Sequence, residues 1–256
     1  MSKLPFDPLI IYNSMRLGEY MSFIIDKYMD TLLKVALFRN IDKEELSHIL
    51  MCLSPSIKGY EKNELITMEG NPFDGIGVVL KGKVTVTKTN EAGERTIMTQ
   101  QKKGGMFGEM VAFSSMKVWP ATVVAETNCT ILSLKPEIII NHCQKMCVGH
   151  KQLMLNMLEL VSNKALGLNR KVNYLSIKSM RGKLSKFLME EYSKTSKTMF
   201  EIEFNRNELS EFLHVSRPSM SRELSRMKEE GIIDYYQATF KLLNIEALSD
   251  YASHLN

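Results

Sequence analysis

NRNELSEFLHVSRPSMSRELSRMK, the stretch Asn205–Lys228, decides how the chain is read. It has the pattern of two short amphipathic helices joined by a tight turn. Leu209, Phe212 and Leu213 fall at i, i+3 and i+4 and share one face, while Met220, Leu224 and Met227 fall at i, i+4 and i+7 and share another. Between them lies His214-Val215-Ser216, with Val215 as an apolar plug and Ser216 as an N-cap. Pro218 is then the second residue of the second helix. A proline is tolerated there because the first-turn N–H groups have no partner inside the helix. The face left over carries Arg217, Ser221 and Arg222 near the N-terminus, the end at which a recognition helix meets base edges. The pattern predicts a helix-turn-helix.

An ordinary helical hairpin with solvated arginines has the same periodicity, so the flanks matter. Gly231–Tyr235 and Thr239–Leu243 read as two short strands around a polar turn, and Met199–Phe204 supplies a further strand before the helices. Together they predict a winged helix-turn-helix.

A chain of 256 residues is long enough for two ordinary domains, and its composition is globular. The net charge of +4 is too mild for a non-specific nucleic-acid coat. DNA binding would have to rest on a few cations placed at a helix N-terminus and on the preceding segment Ile177–Tyr192, which carries Lys178, Arg181, Lys183 and Lys186. Cys52, Cys129, Cys143 and Cys147, among eighteen methionines, suggest a reducing interior rather than a disulfide scaffold. The N-terminal stretch lacks a signal-peptide pattern and no apolar run reaches membrane-spanning length, so a cytoplasmic protein without a membrane partner is expected.

Residues 1–40 read as a helical leader whose first dozen residues, with Pro5 and Pro8, are irregular. Tyr20, Phe23, Ile24, Leu32, Leu33 and Leu37 are spaced to pack onto a partner surface. Asp42 caps a helix that runs through Cys52, with Glu45 at the third helical position. From Ile57 to Leu134 the period changes to two: a turn at Leu80–Val84, alternation over Val84–Thr87, a hairpin turn at Asn90–Gly93 before Arg95–Thr99, and strands at Ala121–Glu126 and Thr130–Leu134. Short strands with regularly spaced turns predict a double-sheet jelly roll or barrel.

Pro136 starts another helix, which Gly149 is expected to break, and a long helix follows from about Lys151 to Leu175. In it Met154, Leu158, Val161, Ala165, Leu168, Val172 and Leu175 follow alternating steps of four and three. Such an a/d seam favours pairing with a second copy over packing on its own barrel alone. Gly167 sits beside the seam and costs about 1 kcal/mol against alanine. A two-fold dimer would present two recognition helices to successive major grooves of a palindromic site. The expected fold class is α+β, with a helical leader (1–40), a β-roll sensor domain (41–148), a dimerisation helix (149–175) and a winged helix-turn-helix domain (176–256).

This order of parts resembles the Crp–Fnr family of bacterial transcription regulators over about residues 40–245. The resemblance is carried by Gly70, the turn Val79–Val84, Gly104-Gly105-Met106-Phe107-Gly108-Glu109, and Asn207-Glu208-Leu209-Ser210 followed by Ser216-Arg217 and Ser221-Arg222. It implies a homodimer that binds double-stranded DNA at a palindromic operator, works with RNA polymerase and senses a signal in a cyclic-nucleotide-binding-like roll. It implies that Arg217 reads a guanine through O6 and N7, that Arg222 contacts a base or phosphate, and that Ser216, Ser219 and Ser221 belong to the same surface. Many members have a glutamate after the first arginine. Pro218 stands there in this chain, so the acceptor for a cytosine amine is missing. His214 stands where many members have glycine, and histidine tolerates the left-handed conformation better than most residues.

The resemblance also implies an effector pocket around Gly108, Glu109, Trp119, Pro120 and Lys164. Trp119-Pro120 replaces the Arg-Ser pair that holds the cyclic phosphate in the cyclic-AMP branch, and a phosphate buried without a cation costs on the order of several kcal/mol. Lys164-Ala165 lies near the level of that branch's adenine-contacting pair. Cyclic AMP is therefore not the expected effector, and the effector is unknown. Residues 1–40 hold no cysteine, so the iron–sulfur cluster of the Fnr branch is not expected either. His142, Cys143, Cys147 and His150 have ligand types suited to zinc or haem, but a helix break at Gly149 would scatter them, and no metal is expected. No phosphate-binding loop, nucleophile–base pair at motif spacing or HExxH motif is present, which argues against an enzyme. The alternative to a DNA-binding regulator is a regulatory module whose β-roll gates a protein partner, and such a module has no use for a winged hairpin.

Overall fold

The computed structural model describes residues 17–141 and 148–253. The first helix, α1 (Leu17–Leu32), buries Ile25, Met29 and Leu32, which fall at i, i+4 and i+7. Phe23 and Leu33, expected on the packed face, are exposed instead, because the buried stripe runs through Ile25. The side chain of Tyr20 and the irregular start expected before it lie outside the described residues. After a 3₁₀ turn at Ala36–Phe38, α2 (Lys43–Leu53) begins at the expected cap: the Asp42 carboxylate accepts from the Glu45 N–H at 2.9 Å.

Eight strands follow: β1 (Ser56–Tyr60), β2 (Leu65–Thr67), β3 (Ile76–Lys81), β4 (Lys83–Thr89), β5 (Arg95–Lys102), β6 (Met106–Phe107), β7 (Thr122–Ala125) and β8 (Cys129–Leu134). They form two four-stranded antiparallel sheets in the orders β1-β8-β3-β6 and β2-β7-β4-β5, a roll of the expected kind. The run Ile76-Gly77-Val78-Val79-Leu80 is buried on both faces. Ile76, Val78 and Leu80 meet α1, α2 and the long helix outside the roll, whereas Val79 joins Val84, Phe107, Trp119, Val123 and Ile131 inside it. A four-residue helix α3 (Glu109–Ala112) follows β6, and α4 (Pro136–Asn141) follows β8.

The long helix α5 spans Val148–Ser176. Gly149 does not break it; it lies in its first turn. A Cβ at Gly149 would stand 2.3 Å from Ile49 Cδ1 and 2.7 Å from the Glu45 side chain, so the missing side chain lets α5 approach α2. The buried Asn156 fixes α5 further, with its Nδ2 donating to the carbonyls of Leu37 (2.9 Å) and Arg39 (2.7 Å). The chain divides into two compact units inside this helix, between Ser162 and Asn163.

The second unit continues with α6 (Met180–Thr195), β9 (Met199–Glu201), α7 (Arg206–Leu213), α8 (Arg217–Glu229), β10 (Ile233–Tyr236), β11 (Thr239–Leu242) and α9 (Ile245–Ser253). Its antiparallel sheet has the order β10-β11-β9, and its core gathers Phe187, Leu209, Leu213, Met220, Leu224, Met227 and Phe240. The strand expected to reach Phe204 stops at Glu201, and Phe204 instead stacks on Phe212 at 5.2 Å.

Candidate nucleic-acid interface

α7 opens on a full capping box. Asn205 Oδ1 accepts from the N–H groups of Asn207 (2.9 Å) and Glu208 (3.0 Å), and the Glu208 carboxylate accepts from the Asn205 N–H at 2.8 Å. The helix closes on His214 in the left-handed region at φ 55°, so histidine serves the turn as expected. Ser216 caps α8, accepting from the Ser219 N–H, and Pro218 occupies the second helical position. Leu209, Leu213, Met220, Leu224 and Met227 are buried and fix the two helices against each other.

This packing leaves the N-terminal end of α8 open to solvent. Arg217 and Arg222 are exposed, Ser216 is exposed, and Ser219 and Ser221 are half-buried beside them. The Arg217 Nη1–H donates across the turn to Asn207 Oδ1 at 3.1 Å. Arg222 Nη2 lies 3.3 Å from Ser219 Oγ, which in turn accepts from the Ser216 hydroxyl at 2.7 Å. Arg217 and Ser221 are four residues apart and so share a helix face. An unopposed helix N-terminus with two guanidinium groups beside it suits an anionic, hydrogen-bond-accepting partner.

The cations expected on α6 are mostly occupied elsewhere. Arg181 donates to Glu223 (2.6 Å) and to both oxygens of Glu230 (2.7 and 2.8 Å), and lies 5.0 Å over the Tyr251 ring. The bonds to Glu230 raise the arginine pKa and hold the Glu230 carboxyl below its ordinary value. Lys183 is buried, its Nζ donating to the last carbonyl of α7, Leu213, at 3.1 Å, and burial lowers its pKa. Lys186 lies 5.8 Å over Tyr174, whereas Lys178 is exposed. Arg181 and Lys183 are therefore struts of the domain, a correction to their reading as a basic approach surface.

Two arginines escaped sequence reasoning. Arg206, the first residue of α7, stacks on Tyr235 (4.7 Å) and Phe240 (5.1 Å) and ties that helix to the wing; burial lowers its pKa. Arg170, near the end of α5, donates from Nε to Glu190 at 2.8 Å, with its Nη2 2.6 Å from the same carboxylate oxygen, and stacks over Phe212. Their partners are distant in sequence, so no local pattern marks them.

Of the seam, Met154 and Val161 are partly buried against the hydrophobic core of the first unit. Leu158, Ala165, Leu168, Val172 and Leu175 are exposed.

Of the expected effector residues, Trp119 and Glu109 are buried. Trp119 is buried, 4.7 Å from the Phe73 ring and 6.0 Å from Phe107, with its Nε1–H donating to Asp74 Oδ1 at 3.0 Å. A Cβ at Gly108, whose φ is +85°, would meet Trp119 Cη2 at 2.7 Å. Glu109 is buried at the start of α3, Pro120 is half-buried, and Lys164 lies in the second unit, half-buried, with its pKa lowered by desolvation. The indole thus fills the roll at the place expected for a phosphate, and neither it nor Pro120 offers an anion a charge. The residues present do not fit a cyclic nucleotide phosphate.

Among the described residues no His, Cys, Asp and Glu groups are arranged to hold a metal, and His142, Cys143 and Cys147 lie outside them. His150 is buried, which lowers its pKa. No helix among the described residues is long and apolar enough to cross a membrane.

The cyclic nucleotide-binding domain family matches residues 57–145, and the Crp-like helix-turn-helix domain family matches residues 182–251. The chain belongs to the Crp–Fnr family. Among relatives, it is 31% identical over 104 residues to cGMP-dependent protein kinase 2 of Homo sapiens, which covers 40% of this chain and only 13% of that kinase. It is 23% identical over 177 residues to the probable transcriptional regulator flp of Lacticaseibacillus casei, covering 68% of this chain and 78% of the relative. To the cAMP-activated global transcriptional regulator CRP of Pasteurella multocida it is 20% identical over 188 residues, covering 72% and 88%. Within this Crp–Fnr chain the α8 end carries Arg217 and Arg222, and the roll carries Trp119-Pro120.

Proposed function

We propose that this chain is a sequence-specific DNA-binding transcription regulator that acts as a homodimer. The observation that carries the reading is the exposed N-terminal end of α8, where Arg217 and Arg222 are both held in place by hydrogen bonds. Arg217 reads a guanine, Arg222 contacts a base or phosphate, and Ser216, Ser219 and Ser221 line the same surface. Pro218 gives no acceptor to a cytosine amine, so the operator lacks that contact.

The exposed Leu158, Ala165, Leu168, Val172 and Leu175 support pairing with a second copy along α5. Two copies would read the halves of an inverted repeat one helical turn apart. The signal, a small-molecule effector or a redox signal, enters through the roll and is not cyclic AMP, a reading supported by the buried Trp119 at the position of the phosphate-holding pair. RNA polymerase, in the cytoplasm, is the partner through which such a regulator acts.

The test is an electrophoretic mobility shift of the full chain on an inverted-repeat duplex, over a salt series. Binding should weaken steeply as salt rises, as counterions released by phosphate contacts require. Equal affinity for a scrambled duplex of the same composition would refute sequence-specific regulation, and retention of a protein partner in the absence of nucleic acid would favour the gating module instead.

A further inference from the structure

We infer that Asn207 sets the sequence preference of this protein by holding the Arg217 guanidinium in its reading position before DNA arrives. The inference rests on the proposed role of Arg217 as a base reader.

Arg217 is the first residue of α8, and a long side chain there would normally sample many rotamers in solvent. Its Nη1–H instead donates to Asn207 Oδ1 at 3.1 Å, and Asn207 belongs to the other helix of the hairpin. The backbone of Asn207 is itself pinned, since its N–H donates to the Asn205 cap at 2.9 Å. Leu209 and Leu213 of α7 and Met220 and Leu224 of α8 are fully buried, so the two helices form one rigid frame. Arg222 differs, for its polar contact is with Ser219, one turn back on the same helix. Only Arg217 of the two is positioned from across the turn.

The chemistry of the pair suits this task. A guanidinium has five N–H donors, and the amide oxygen takes one, leaving the others for the two acceptors of a guanine edge. An amide carries no charge, so it neither neutralises the arginine nor repels phosphates. Arg181 shows the contrasting case, consumed by two carboxylates and withdrawn from any ligand. Ordering a free, rotamer-rich side chain on binding lowers affinity by about 2- to 12-fold. Asn207 removes that loss for the one duplex that presents guanine to Arg217.

The experiment uses the full chain and a duplex selected by it from a random pool, together with the same duplex carrying a replacement of the guanine pair whose loss no longer matters to Arg217→Ala. Asn207→Ala should reduce discrimination between the two by about 2- to 12-fold, through weaker binding to the selected duplex alone. In an Arg217→Ala background it should change nothing. Asn207→Asp puts a carboxylate on the guanidinium that competes with the guanine edge, as Glu223 and Glu230 do for Arg181, and should lower discrimination as well. Unaltered discrimination in Asn207→Ala would overturn the inference, as would an equal loss on both duplexes or a loss that persists without Arg217, since either means that Asn207 contacts DNA itself. Wild-type discrimination retained by Arg217→Ala would instead defeat the reading of Arg217 as a base reader, and this inference with it.

Discussion

Arg170 stacks on Phe212, its guanidinium carbon 4.8 Å from the ring centroid, and so joins the last turns of α5 to the first helix of the helix-turn-helix. The same guanidinium holds Glu190 on α6. One side chain thus ties three helices of the second unit together, and a rotation of the seam end of α5 would carry α7 and α8 with it.

Arg170→Ala removes both the stack and the ion pair, and it should destabilise the second unit by about 1–2 kcal/mol, since the pair is roughly a third exposed. Arg170→Lys keeps the charge but loses the planar fork and the stacking face, so it should fall between. Urea unfolding followed by circular dichroism measures both.

Much of the helix-turn-helix was legible because its signals are local. The apolar spacing of Leu209, Leu213, Met220 and Leu224, the Asn205 and Ser216 caps and the left-handed His214 all act within a few residues of themselves. What misled were residues whose partners lie far along the chain. Lys183 and Arg181 look like DNA-facing cations until Leu213, Glu223 and Glu230 fold beside them. Gly149 looks like a helix breaker until α2, a hundred residues earlier, packs against it. Trp119 was placed by a motif position, but nothing near it in sequence announces that Phe73 and Phe107 enclose it.

The two glycines of α5 should respond to alanine with opposite signs. Gly149→Ala forces a methyl group against Ile49 Cδ1 in the core and should destabilise the roll unit by about 1–2 kcal/mol, despite the better helix propensity. Gly167 has open space around its Cβ position, so Gly167→Ala should stabilise by up to about 1 kcal/mol. Thermal unfolding midpoints of the two variants separate these outcomes.

Acid should weaken the second unit through Glu230. Its folded pKa is depressed by Arg181 below the ordinary 4.5. The contribution is therefore fully present above that value and is lost as pH falls through the lower folded pKa. Glu230→Gln should flatten this acid limb below pH 4.5, as read from denaturation midpoints.

Cyclic AMP should leave the unfolding midpoint unchanged, whereas a ligand at a hundred times its Kd would add about 2.7 kcal/mol. Trp119 is the sole tryptophan, so its fluorescence reports the roll interior directly, and it should show a buried indole that cyclic AMP does not perturb. Trp119→Ala should cost about 3–5 kcal/mol by leaving a cavity.

The central claim is that the exposed end of α8 reads DNA sequence as one half of a dimer. Selection of duplexes from a random pool by the full chain tests it most directly. The expected product is an inverted repeat with half-sites spaced by about one helical turn and a guanine in each, whose enrichment disappears with Arg217→Ala. A pool that returns no common sequence, or the same sequence with and without Arg217, would contradict it.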